Sequence, residues 1–168
     1  MAAISNLEFK PIRWQTIVIA ALAFWLSSSL LLDFIIMPGM YAAGMMAEPG
    51  FVSAGYSIFW LFNRVELLCA AFVLTGVLIL NQVHWGNPRH RLAIAALLLS
   101  ISLIYTYGLT PTMSALGIQL DWFNLSSTLP DSMLKMQTSY WVLELVKLAA
   151  AGTLLGMSYR GDRTFTQP

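Results

Sequence analysis

The chain has 168 residues, of which 58% are hydrophobic and 10% are charged, and its formal net charge is +1. Soluble domains carry about 25% charged residues, so this composition excludes an ordinary soluble fold and favours a membrane protein. The near-neutral charge argues against nucleic-acid binding. A single cysteine, Cys69, excludes an intrachain disulfide framework and a four-thiolate zinc site.

Four long apolar stretches follow one another along the chain. Each has roughly 18–23 residues, enough at about 1.5 Å per residue to cross a hydrocarbon core of about 30 Å. Inside lipid the backbone must satisfy its own hydrogen bonds, which predicts helices. We therefore predict an all-α, integral membrane four-helix bundle that forms a single transmembrane domain over residues 1–168. Its helices are predicted at about 17–37, 58–80, 92–109 and 140–157.

Basic residues lie on one side of the predicted helices. The two terminal segments and the turn between the second and third helices carry six of them: Lys10, Arg13, Arg89, Arg91, Arg160 and Arg163. The other two connections, residues 38–57 and 110–139, contain only Lys135. Because loops rich in lysine and arginine stay in the cytoplasm, both termini are predicted to be cytoplasmic. The membrane would be a bacterial inner membrane or a thylakoid, where the basic side is the stroma.

The two halves of the chain share a pattern. DFIIMPGM (33–40) closes the first helix, YGLTPTM (107–113) closes the third, and the second and fourth helices each contain a glutamate. The corresponding residues are Pro38 and Pro111, Met40 and Met113, and Glu66 and Glu144. Two crossings restore the original side of the membrane, so a duplication would produce parallel repeats, as in some transporters. Similar hydropathy without duplication is the alternative, and both remain open.

WLSSSLLLDFIIMP (25–38), followed by YTYGLTPTMSAL (105–116), resembles a bacterial four-helix membrane family of unknown function. Transmembrane protein 205 of animals belongs to the same group, and the likeness spans nearly the whole chain. More distantly, the group is similar to the CopD copper-resistance proteins and the HemJ-type haem-synthesis oxidases, which rely on histidines within their helices. The predicted helices contain no histidine. The resemblance thus implies the four-helix fold; only the distant likeness supports a haem or redox enzyme, and no cofactor is implied by the sequence.

Several polar and ionisable residues interrupt the apolar stretches in the predicted outer half of the membrane. Ionisable residues at such depth are costly and usually face protein or water. They come from three of the four helices at similar depth, which predicts a shared polar pocket open to the outside. The predicted pocket residues are Asp33, Asn63, Arg64, Glu66, Glu144 and Lys147.

Helical geometry predicts how these residues pair. Arg64 lies about 160° from Glu66 around a helix with about 3.6 residues per turn, so those two are poor partners. Arg64 is instead predicted to reach Asp33 or Glu144 on another helix. Glu144 and Lys147, at i and i+3 with the acid first, should pair directly. Three acids against two bases leave one excess negative charge, and the expected unpaired acid is Glu66, the deepest at about 12 Å.

Methionines cluster in the predicted outer connections. Met37, Met40, Met45 and Met46 lie within ten residues around Pro38, where the first helix is predicted to exit. Thioether sulfurs bind Cu(I), so these four residues are candidate copper ligands. Methionine also serves as an adaptable apolar cover or docking surface. The outer connections contain no histidine or cysteine to assist a copper site, and both interpretations stay open.

The charges within the predicted helices have two interpretations. The charges are either structural ion pairs that lock the bundle or a site for a ligand. The chain has no nucleophile–base pair, phosphate-binding glycine loop or HExxH motif, so no catalytic residue is predicted. The favoured function is a small bundle that binds or moves a small polar solute, proton or metal ion through the outer polar pocket. The alternative is an accessory or assembly subunit of a larger membrane complex. Beyond the lipid bilayer, the candidate partners are another membrane protein or a second copy of the chain.

Overall fold

The computed structural model describes residues 11–45, 50–81, 88–112, 115 and 131–162. The described residues form five α-helices and contain no β-strand. The helices are α1 (Pro11–Leu31), α2 (Met37–Ala42), α3 (Phe51–Asn81), α4 (Pro88–Ile104) and α5 (Asp131–Asp162). One π-helical turn, Leu32–Ile36, joins α1 to α2, and another, Tyr105–Leu109, extends α4. These elements confirm the predicted all-α four-helix bundle, because α1 and α2 belong to one continuous helical segment.

Four helical segments of the described chain are long and apolar enough to cross a membrane: Trp14–Met40, Ser53–Asn81, Arg89–Thr112 and Thr138–Tyr159. Their outward faces carry large apolar side chains; Leu61, Phe72 and Leu145, for example, are each 61% exposed. Ionised and hydroxyl side chains are buried between the helices instead. Apolar residues outside and polar residues inside are the arrangement that lipid stabilises and water does not. The chain is an integral membrane protein.

The helices form a ring in which α1 packs against α3 and α5, and α4 packs against the same two helices. The apolar core lies between them and includes Val18, Leu22, Val73, Leu98 and Leu154, each at most 1% exposed. Every neighbouring pair in this ring therefore buries one face of each helix. The faces that remain are those that meet lipid.

Two polar contacts show which helix ends lie together. The side-chain amide of Gln15, near the start of α1, donates to the carbonyl of Ser158, near the end of α5, at 3.0 Å. Arg91, near the start of α4, donates to the carbonyl of Met157 at 3.0 Å. The beginnings of α1 and α4 and the end of α5 thus share one end of the bundle. Neighbouring helices in the ring run antiparallel.

Pro38 does not end the first transmembrane helix, contrary to the sequence prediction. Proline lacks an N–H and clashes with the carbonyl four residues before it. The preceding π turn accommodates both problems, since the N–H of Met37 bonds the carbonyl of Leu32, five residues back. The third segment repeats this solution before Pro111, and helix continues to residue 112. Each π turn begins six residues before its proline, so the correspondence between the two halves extends to the backbone.

The second and fourth membrane helices also begin before the predicted apolar cores. α3 begins at Phe51, directly after Gly50, whose φ is +91°. Gly44, after α2, has a φ of +71°. Glycine adopts this left-handed conformation without steric cost, so these two residues suit the chain reversal between α2 and α3. α5 begins at Asp131, before the start of the fourth helix predicted at about residue 140.

Gly76 marks the closest approach of α3 to α1. A Cβ atom added at Gly76 would overlap Cγ2 of Val18. Valine is stiff at χ1, so that methyl group has little freedom to move away. We expect Gly76→Ala to lower the free energy of unfolding by about 1–3 kcal/mol, as overpacking does. Thermal or denaturant unfolding of the purified protein in detergent measures this loss of stability.

Gly152→Ala is the matched control for this substitution. Gly152 lies on α5, and a Cβ atom added there meets no heavy atom within 4 Å. Both variants gain the same intrinsic helix propensity, so their difference isolates the contact with Val18. Equal stability of the two variants would contradict the close approach of α1 and α3.

Candidate functional site

Three acidic side chains and one lysine of the described chain are at most 3% exposed inside the bundle. Asp33, Glu66, Glu144 and Lys147 are 3%, 1%, 1% and 2% exposed, respectively. Asp33 comes from the first π turn, Glu66 from α3, and the other two residues from α5. We call these four residues the ionic cluster. The structure therefore brings together four of the six predicted pocket residues.

Lys147 is the only cation of the cluster and lies between two carboxylates. Its Nζ atom is 2.5 Å from Oε1 of Glu66 and 2.8 Å from Oε2 of Glu144. The second contact confirms the pair predicted from the i and i+3 spacing. The ammonium group is also 5.2 Å from the ring centroid of Tyr105, within cation–π range. Lys147 therefore joins α5 to α3 and neutralises part of the carboxylate charge.

Glu66 has two further donors, both from α1. Its Oε1 atom accepts hydrogen bonds from Nε1 of Trp25 and Oγ of Ser29, each at 2.9 Å. Trp25 and Ser29 are four residues apart and so lie on one face of the helix. The expectation that Glu66 is the unpaired acid is wrong. Depth along one helix does not reveal that the long side chain of Lys147 reaches it from α5.

Asp33 and Glu144 each use one carboxyl oxygen and keep the other without a donor. Oδ1 of Asp33 accepts a hydrogen bond from the Tyr140 hydroxyl at 2.8 Å. The Tyr105 hydroxyl lies 3.2 Å from Oε2 of Glu144 and 3.1 Å from the carbonyl of Tyr140. Oδ2 of Asp33 and Oε1 of Glu144 are buried and accept no hydrogen bond from the described residues. The two carboxyl groups lie within hydrogen-bonding range of each other, although two carboxylates have no hydrogen to share.

Arg64 does not belong to the cluster. It is exposed, and its guanidinium carbon lies 3.8 Å from the ring centroid of Trp60, one turn earlier on α3. The prediction that it pairs with Asp33 or Glu144 is wrong. Because Glu66 faces the interior, a residue about 160° away around the helix must face outward. The fully ionised cluster therefore carries two excess negative charges, from three acids and one base, where one was expected.

Asn63 is buried on the same face of α3 as Glu66, as predicted. Its Nδ2 atom donates to Oγ1 of Thr110 at 2.6 Å. Its backbone carbonyl lies 3.4 Å from the Thr106 hydroxyl, which also donates to the carbonyl of Ser102 at 2.8 Å. These bonds tie α3 to the end of the third membrane segment. In the structure Asn63 therefore connects α3 to the third membrane segment beside the ionic cluster, and it donates to none of the cluster's acids.

Sequence reasoning omitted four neutral donors from the pocket: Trp25, Ser29, Tyr105 and Tyr140. A signal was present for three of them. The first two share a helix face with Asp33, and Tyr140 shares one with Glu144 and Lys147 through the i, i+4 and i+7 spacing. Tyr105 begins the second π turn, which helical periodicity does not predict. With Tyr105, all four membrane segments contribute to the site.

The methionine hypothesis receives no test from the structure. Met37 and Met40 are half-buried and Met45 is 43% exposed, while Met46 lies outside the described residues. The four methionines stay a predicted Cu(I) site or a predicted apolar cover. Among the histidine, cysteine, aspartate and glutamate residues that the structure describes, no three are grouped so as to hold a metal ion.

The fold and the cluster together define a class of protein: a four-helix integral membrane bundle with a buried, negatively charged ionic cluster between its helices. No protein-family model, curated protein or solved structure matches the chain. The resemblance to the family that includes transmembrane protein 205 stays a prediction.

Proposed function

We propose that the bundle binds a proton or another small polar or cationic species in the ionic cluster, as a carrier or sensor of that species. The observation that supports this proposal is the pair of buried carboxyl oxygens, Oδ2 of Asp33 and Oε1 of Glu144, that accept no hydrogen bond from the described residues. A buried acceptor without a donor costs about 1–3 kcal/mol, and more when it is charged. A small donor bound between them would remove that cost.

Charge supports the same proposal. Two excess negative charges inside a membrane are unfavourable unless a cation or proton offsets them. The backbone adds a second argument, since Asp33 and Tyr105 both lie in π turns, and such turns occur frequently at functional sites. Structural ion pairing alone accounts for Glu66 and Lys147. It leaves the two carboxyl oxygens of Asp33 and Glu144 unexplained.

Thermal unfolding in detergent tests the proposal. A ligand that binds only the folded protein stabilises it by about 2.7 kcal/mol at a concentration 100 times its Kd. The probes are chloride salts of ammonium, methylammonium, guanidinium, sodium, potassium and magnesium at constant ionic strength, together with a pH series. We expect at least one probe, or acidification, to raise the Tm of the wild-type protein and not that of Asp33→Asn. The Arg64→Gln variant, altered outside the cluster, should respond like the wild type. Identical responses of wild type and Asp33→Asn would contradict the proposal.

We further propose that both termini face the cytoplasm, in a bacterial inner membrane or a thylakoid, and that the cluster opens to the opposite side. The asymmetry of basic residues supports this orientation. After replacement of Cys69 by serine, a cysteine at Ala43 should react with an impermeant thiol reagent applied from outside. A cysteine at Asn87 should react only once the cytoplasmic side is accessible. The reverse pattern would invert the proposed orientation.

The second candidate function is an accessory or assembly subunit of a membrane complex. The half-buried Met37 and Met40 and the exposed Met45 favour it, because methionine-rich surfaces adapt to varied partners. The partner would be another membrane protein or a second copy of the chain. Native pull-down from a mild detergent should then recover a stoichiometric partner. Replacement of Met45 by glutamate should release it, while Glu66→Gln should not.

A further inference from the structure

We infer that Asp33 and Glu144 share a single proton, so that the species held in the ionic cluster is a proton between the first π turn and α5. This inference rests on the proposed function and names its ligand. We call these two residues the carboxyl pair.

Hydrogen-bond geometry favours a proton shared by the carboxyl pair. Each member of the carboxyl pair has one oxygen facing a tyrosine hydroxyl, Tyr140 for Asp33 and Tyr105 for Glu144. Each has a second, buried oxygen that accepts no hydrogen bond from the described residues. The two groups are within hydrogen-bonding range of each other. One proton on either carboxyl group makes that group a donor to the other, so the two acids need not both be ionised.

The excess negative charge of the cluster also favours a retained proton. The ionisable groups that face the carboxyl pair are Glu66 from α3, Tyr105 from the second π turn, and Tyr140 and Lys147 from α5. The one ammonium group is shared with Glu66 and so neutralises only part of the charge. Two carboxylates that share a site disfavour each other's ionisation. One retained proton halves the excess charge of the cluster, and the tyrosine hydroxyls stabilise the charge that remains.

Uptake and release of the shared proton balance without any other reactant. The doubly ionised carboxyl pair takes up one proton from water and forms one O–H bond, which makes one carboxyl neutral. Release breaks the same O–H bond and returns the proton to water. No other bond changes, and no oxidant, reductant or co-reactant is required.

Infrared spectroscopy of the purified protein in lipid tests the inference directly. A protonated carboxyl group has a C=O stretch separate from the carboxylate and amide bands, and the stretch moves on exchange into D₂O. We expect this band in the wild-type protein at neutral pH and its disappearance on alkaline titration. A wild-type spectrum without the band would overturn the inference, and this result depends on no variant.

Three substitutions locate the proton. The band should be lost in Asp33→Asn and in Glu144→Gln, because each leaves a single carboxyl without the like charge that keeps the proton bound. It should persist in Glu66→Gln, which is the matched control inside the same cluster. Circular dichroism and gel filtration establish that each variant is folded. Loss in Glu66→Gln together with retention in the other two would place the proton on Glu66 and overturn the inference.

The outcomes separate this inference from the proposed function. If the band is absent but one of the salts raises the Tm of the wild type and not of Asp33→Asn, the cluster binds a different ligand, and only the inference fails. If the band is absent and neither salts nor pH distinguish the two proteins, both fail. A band with the expected variant pattern supports both.

Discussion

Replacing Lys147 with methionine should lower the free energy of unfolding by about 3–5 kcal/mol, the cost of removing one partner from a buried ion pair. The substitution keeps most of the side-chain volume and removes the ammonium group that contacts Glu66 and Glu144. Three buried carboxyl groups would then lack a cation. Thermal or denaturant unfolding in detergent measures the loss, which we expect to be among the largest of any single substitution in the bundle.

Acidification should partly rescue this variant. Because protonation neutralises the carboxylates that the ammonium group no longer offsets, the stability of Lys147→Met should rise as pH falls. The control is Lys135→Met, on the same helix but at an exposed position. Exposed substitutions of this kind usually change stability by no more than about 0.5 kcal/mol. Comparable losses in the two lysine variants would contradict the assignment of Lys147 to a buried ion pair.

Glu66→Gln should lower the free energy of unfolding by about 1.5–3 kcal/mol, the range for hydrogen bonds to a charged group. The carboxylate of Glu66 accepts from Lys147, Trp25 and Ser29. Glutamine keeps an oxygen that accepts hydrogen bonds but removes the closer of the two carboxylates that pair with the ammonium group. The measurement is again unfolding in detergent. The expected loss follows from the pairing with Lys147, in contrast to the unpaired Glu66 predicted from sequence.

Glu144→Gln is the informative comparison, because Glu144 corresponds to Glu66 in the other half of the chain. In this variant the ammonium group of Lys147 still pairs with Glu66. The substitution also removes one of the two excess negative charges of the fully ionised cluster. The amide N–H of glutamine can also donate to Asp33, as a protonated carboxyl would. We expect a change within about 1 kcal/mol, the net contribution of a typical hydrogen bond. A Glu144→Gln protein as unstable as Glu66→Gln would show that both glutamates act only as counter-charges.

Much of the architecture was predictable because lipid restricts the possibilities. Apolar stretches of membrane-spanning length must form helices, and their number and order follow directly. The i, i+4 spacing of Trp25, Ser29 and Asp33 is typical of one helix face, and all three are buried. The pairing of Glu144 with Lys147 was predictable for the same reason, since i and i+3 residues are neighbours on any α-helix.

The sequence by itself thus determined the four membrane helices and the local ion pair. The tertiary structure alone decided which acid receives the ammonium group, because the reach of Lys147 across to Glu66 depends on how α5 packs against its neighbours. It also decided that Arg64 faces outward, which followed only once Glu66 was known to face inward. Sequence periodicity does not predict the π turns, because proline usually marks the end of a helix. In the structure, packing on both sides of each proline maintains the helix. These turns bring Asp33 into the ionic cluster and Tyr105 beside it, where one oxygen of Asp33 and one oxygen of Glu144 accept no hydrogen bond from the described residues.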